Sequence, residues 1–147
     1  MKGFGKTTMI FLIFLLYFSI AQVVCYAYNW TLLTTSSTGM DTDTMGIAGV
    51  EGYADLDNVK INREKRTIQF WTKIVHIDNS SRVDLNLVDY MVPTRTILQS
   101  AGYDRSGKFT RFYESARNNS LILRGSFFDE ILKPVMLKHG LDVYGRK

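Results

Sequence analysis

TIQFWTKIVHI, residues Thr67 to Ile77, is the stretch that decides how the chain reads. It contains no glycine or proline, and β-branched and aromatic side chains fill most of it, the composition of a strand. One alternate set is Ile68, Phe70, Thr72, Ile74 and His76; the other is Gln69, Trp71, Lys73, Val75 and Ile77. Both sets are largely apolar, whereas an antiparallel sheet with one wet face alternates cleanly. The second face is therefore expected to be covered by a helix, a loop or another subunit.

Upstream of this strand, Ile61 to Thr67 (INREKRT) reads as a hairpin turn, with Arg63, Glu64, Lys65 and Arg66 at its solvated tip. Ile47 to Ala54 is extended and ends in Asp55-Leu56-Asp57-Asn58-Val59. Gly46, Gly49 and Gly52 recur every third residue there, which suggests bends or bulges in a strand. Thr34 to Gly46 is a polar loop, and Tyr28 to Leu33 starts the first strand. Downstream, Asp78 to Arg82 is a loop. Val83, Leu85 and Leu87 then alternate with Asp84 and Asn86 in a half-buried strand running to Val92, where Pro93 interrupts. Thr94 to Tyr103 is a strand, Asp104 to Gly107 a turn, and Lys108 to Glu114 the sixth strand.

The end of the chain changes period. Ser126 suits an N-cap with Asp129 three residues on. Phe127, Phe128, Ile131, Leu132 and Val135 follow at helical spacing, and Gly140 suits the position just past the end. Pro134 should kink this helix or start a second short one. The expected fold is α+β: a mostly antiparallel sheet of about six strands with a C-terminal helix, residues 126–139, packed on it.

The beginning of the chain is of another kind. Lys2 and Lys6 precede an almost unbroken apolar run from Met9 to Ile20, and Cys25-Tyr26-Ala27 places small residues where signal peptidase cuts. Residues 1–27 thus read as a secretory signal peptide, with one exported domain over 28–147. The apolar stretch ends at Val24, short of the roughly 20 residues that span a bilayer; an uncleaved anchor and a lipid on Cys25 are the alternatives. Removing Lys2 and Lys6 from the 18 basic residues leaves 16 against 14 acidic ones, a net of +2. That balance argues against nucleic acid as a partner. Cys25 is the one cysteine, so the exported domain has no disulfide, and a bacterial source fits better than an animal one. The N-x-S/T triplets at Asn29, Asn79 and Asn118 read as chance.

Catalytic chemistry is sparse. His76 and His139 lack partners at metal-ligand spacing, and no nucleophile elbow, phosphate loop or dinucleotide fingerprint occurs. Asp41 with Asp43, and Asp55 with Asp57, read as turn carboxylates rather than a calcium loop. No enzymatic activity, metal or cofactor is expected. The aromatic-rich last third stands out: Phe109, Phe112, Tyr113, Phe127 and Phe128 interleave with Arg111, Arg117 and Arg124. Interfaces use aromatic and arginine anchors of this kind, so Phe109, Arg111, Phe112, Tyr113 and Arg117 are the candidate binding residues; the plainer reading is that half of the aromatics fill the core.

The order of certain motifs adds a resemblance. Trp30 lies near the start of the exported chain, followed by Asp55-Leu56-Asp57-Asn58-Val59 and by Trp71-Thr72-Lys73. Tyr103-Asp104 with Gly107 comes next, then Ser126 with Glu130-Ile131. In this succession, from Asn29 to Lys138, the chain resembles the bacterial surface-adhesin protein E family. Many members carry a cysteine pair that this domain lacks. The resemblance implies a mostly antiparallel sheet with a C-terminal helix, no catalysis, dimer formation, and adhesion to host matrix or serum proteins. A protein partner, matrix or envelope component, is thus expected at the cell surface, in the periplasm or in the medium. The alternative is a periplasmic domain that holds a small apolar ligand or assists another envelope factor.

Overall fold

The computed structural model describes residues 28–36 and 47–142, with backbone alone at 115–118. The expected signal peptide, Cys25, Asp41 and Asp43 lie outside the described residues. Among the described residues seven strands and a helix follow one another: β1 (Trp30–Thr35), β2 (Glu51–Asp55), β3 (Lys60–Asn62), β4 (Thr67–Val75), β5 (Ser81–Asp89), β6 (Thr94–Tyr103), β7 (Phe109–Leu121) and α1 (Phe127–Lys138). The strands form one antiparallel sheet in the order β1-β2-β4-β5-β6-β7, with β3 also paired to β4. The fold is the expected one: an antiparallel sheet with a C-terminal helix on it.

Four boundaries differ from the sequence reading. Ile61 and Asn62 belong to β3, not to a turn, because they pair with Ile68 and Thr67; the reversal itself is confined to exposed residues 63–66, with Arg66 at φ 56°. The strand before Pro93, β5, ends at Asp89 rather than Val92. The Asp89 carboxylate accepts the amides of Met91 (2.9 Å) and Val92 (3.0 Å) and closes a turn there. Finally, β7 runs on to Leu121, held by pairing with β6 as far as Thr94, and Thr34 and Thr35 extend β1.

Burial follows the two faces of β4. Ile68, Phe70 and Ile74 are fully buried beneath α1, which contributes Phe127, Phe128, Ile131, Leu132, Val135 and Met136. Each such side chain removed from water contributes about 1.5–3 kcal/mol, so this seam dominates the fold. Gly52 in β2 makes the close approach possible: a Cβ there would lie 2.7 Å from Ile131 Cδ1 and 2.8 Å from Phe127 Cζ. The helix begins as its sequence dictates. Ser126 Oγ accepts the Asp129 amide at 3.2 Å, while the Asp129 carboxylate reaches back to the Gly125 amide at 2.7 Å. It runs to Lys138, with His139 as its cap and Gly140, φ 64°, just past the end. Pro134 sits inside this single helix; the carbonyl it leaves unpaired belongs to exposed Glu130, where water can satisfy it.

Beside the helix the same sheet face is polar, and buried. Asp84 receives Arg82 Nε (2.9 Å), Arg95 Nη2 (3.1 Å) and Ser100 Oγ (2.7 Å). Asn86 accepts Arg95 Nε at 2.7 Å and donates to Thr72 Oγ1 at 2.9 Å. The Arg95 guanidinium lies 3.9 Å from the centroid of the Phe128 ring. Among the described residues no buried side-chain polar atom lacks a partner, which is the condition for such a network to be tolerated in a core.

Candidate functional site

The candidate binding residues of the sequence reading fall on β7, the outermost strand, and the structure divides them. A register shift between Gly102 and Tyr103 pairs Phe112 with Ala101 and Phe109 with Tyr103. Both phenylalanines therefore share the face away from the helix. They are 51% and 54% exposed, and Phe109 meets Tyr103 edge to face with centroids 6.1 Å apart. Arg111 and Tyr113 pair with Gly102 and Ser100 and stand on the opposite face, where the guanidinium lies 5.6 Å from the tyrosine ring centroid. Arg117 pairs with Ile97 through its backbone; its side chain is not among those described. Phe127 and Phe128 are core, so the aromatics of the last third serve both roles that the sequence allowed.

A second site lies on the same helix-free face, and single-residue patterns did not reveal it. β2 pairs with Thr72–Val75 of β4 and β3 with Thr67–Gln69. The Asp55–Val59 link between them leaves the ladder where Phe70 and Trp71 pass. The result is a cleft of about 480 Å³ lined by Tyr28, Asp57, Asn58, Val59, Lys60, Gln69, Trp71 and Leu85. Its floor is set by register: Trp71 lies opposite Leu85, and Gln69 opposite Lys60. Tyr28 stacks on Trp30, centroids 5.3 Å apart, and turns 65° to the Trp71 ring at 5.6 Å.

The loop that forms the rim is held from several sides. The fully buried Asp55 carboxylate accepts the amides of Asp57 (3.1 Å) and Asn58 (3.2 Å) and the Asn58 side-chain amide (2.6 Å). Asp57 accepts Asn29 Nδ2 at 3.0 Å and Lys138 Nζ at 2.8 Å. The Lys138 ammonium, and after it the Asn29 amide, hold the Asp57 carboxyl below its ordinary pKa. His139 Nε2 lies 3.1 Å from the Leu56 carbonyl oxygen. The end of α1 and the chain before β1 thus converge on one short loop. His76 is elsewhere, its amide bonded to the Ser80 carbonyl. Among the described residues no three His, Cys, Asp or Glu side chains are grouped to hold a metal, and no helix is long and apolar enough to cross a membrane.

No family model matches this chain, and neither a curated protein nor a solved structure is similar to it.

Proposed function

We propose that this chain is a non-enzymatic, exported bacterial domain that binds a protein partner through β7, in the manner of the surface-adhesin protein E family it resembles. The observation that carries the reading is the pair Phe109 and Phe112, half exposed and side by side on the last strand of an open sheet. Among the described residues β7 pairs with β6 alone, so one edge of its backbone is also open there to an added strand. Aromatic side chains anchored on a strand contribute large contact area with few rotatable bonds, which is why they concentrate the energy of an interface. Export rests on the apolar run of residues 9–24 with its cleavage pattern. Surface, periplasm and medium are the compartments it allows, and a second copy of the chain is the other expected partner.

Two measurements test this. Protease shaving of intact source cells, with mass spectrometry of shaved, periplasmic and medium fractions, should show loss of the protein and an N-terminus at Tyr28. Protection inside the envelope rules out the adhesin reading. On the purified domain, the double variant Phe109→Ser/Phe112→Ser should keep the wild-type melting temperature and lose at least tenfold in affinity for any host matrix protein that the wild type retains, since each anchor contributes on the order of 1–2 kcal/mol.

A further inference from the structure

We infer that the cleft between β2 and β3 is a saccharide-binding site, taking an uncharged pyranoside that packs on Trp71 and Tyr28. This stands apart from the role proposed for β7 and uses none of its residues. Four observations carry it. The volume, about 480 Å³, lies within the range of small-molecule sites, roughly 300–1,000 Å³. The aromatic walls meet at 65° with their centroids 5.6 Å apart, a corner rather than a parallel pair. No planar base slides between rings so placed, whereas a puckered sugar ring can lay its C–H face on one ring and its edge against the other.

The polar side chains are the third observation. Asp57, Asn58, Lys60 and Gln69 ring the aromatic floor, and amides and carboxylates are the partners that vicinal hydroxyls require. A hydrocarbon ligand would leave these groups unpaired on closure, at a cost for each. The side chains of the lining hold one acid and one lysine, which offset each other, and Asp57 is already engaged by Lys138 and Asn29, so these side chains select neither an anion nor a cation. The fourth is rigidity. Asn58 donates its amide nitrogen to Asp55, which leaves its oxygen as the acceptor, and Asp57 is clamped between two other elements. Polar groups held in place before the ligand arrives lose little entropy on binding, the usual condition for recognising a small hydrophilic molecule.

The test uses chitotriose, whose N-acetylhexosamine units are those of a bacterial wall, and lactose, which ends in the galactose of animal glycans. In a Trp30→Phe background Trp71 is the sole tryptophan left of two, and its fluorescence reports directly on the cleft. Saturable change with one of these sugars at about 10 mM or below, in the range of weak small-ligand binding, supports the assignment and identifies the source. Gln69→Ala and Lys60→Ala should each weaken that binding by about three- to tenfold, the usual loss for one hydrogen bond, with far-UV circular dichroism unchanged. Trp71→Ala should abolish it; the two polar variants keep the test decisive if that protein does not fold. The inference is overturned if neither sugar shifts Trp71, if laurate binds where the sugars do not, or if binding survives both polar substitutions unchanged.

Discussion

Arg95 shows how single residues decide the stability of this domain. Its guanidinium is almost wholly buried, bonds Asp84 and Asn86, and lies on the Phe128 ring. Removing one partner of a buried ion pair costs about 3–5 kcal/mol when a bare charge is left behind. Here Arg82 and Ser100 still hold Asp84, so Arg95→Ala is expected to cost less, about 2 kcal/mol, measured by urea denaturation. A second prediction concerns Asp57. Its pKa is depressed by Lys138 and Asn29, so the bonds it makes are fully present above the ordinary carboxylate range. They are lost as pH falls through the lower, folded value. In an NMR titration Lys138→Ala should move the Asp57 midpoint upward, toward that ordinary range, and an unchanged midpoint would show that the helix end does not hold the loop. Neither partnership was legible in the sequence. The sequence leads to solvated turn carboxylates at Asp55 and Asp57: Asp57 is exposed, whereas Asp55 is fully buried because it holds the loop's amides, and Lys138 lies 81 residues from Asp57 with no local pattern to link them.

At the scale of elements, the helix was the most legible part and its proline the least. The Ser126 cap, Asp129 and Gly140 act through bonds within a turn of their own position, so local chemistry names them. Of the two outcomes expected of Pro134, a kink or the start of a second helix, the second does not occur: one helix contains it. Buried Ile131, Leu132, Val135 and Met136 flank it, and their packing on the sheet outweighs one missing hydrogen bond. Proline is about 3 kcal/mol worse than alanine inside a helix, and part of that is returned by its stiffer unfolded chain. Pro134→Ala should therefore raise stability by about 1 kcal/mol or more, seen as a higher melting temperature in circular dichroism. β3 escaped the sequence reading for the converse reason. Three residues with one apolar side chain among them carry no strand signal; β4 supplies the partner that makes them a strand.

Across the whole molecule, the two proposed sites share one face. Leu32, Tyr53, Lys73, Val83, Ala101 and Phe112 lie in a row across it, strand by strand. The cleft on β4 and the aromatics on β7 are three strand spacings apart, about 14 Å. If both sites act together, a glycosylated protein should bind the intact domain more tightly than its deglycosylated form, by the gain that linked sites confer. Surface plasmon resonance with Gln69→Ala and with Phe109→Ser/Phe112→Ser separates the two contributions. Equal binding of the two forms of the partner would mean that the sites work independently.

The sequence by itself determined the class of fold, because period and punctuation are local: alternation in Thr67–Ile77 and Val83–Leu87, turn chemistry at Asp104–Gly107, caps around Phe127–Lys138. It also set the apolar run of residues 9–24 apart from the rest. Only the tertiary structure decided which apolar residues face water and where a cavity opens. Phe112 and Phe128 are the same residue type in similar aromatic surroundings, yet one is half exposed on an outer strand and the other buried under Arg95. The cleft arises because two short strands share one edge of β4 and their link leaves the ladder at Trp71. That is a consequence of register between segments distant along the chain, and register is settled by packing the whole sheet against its helix.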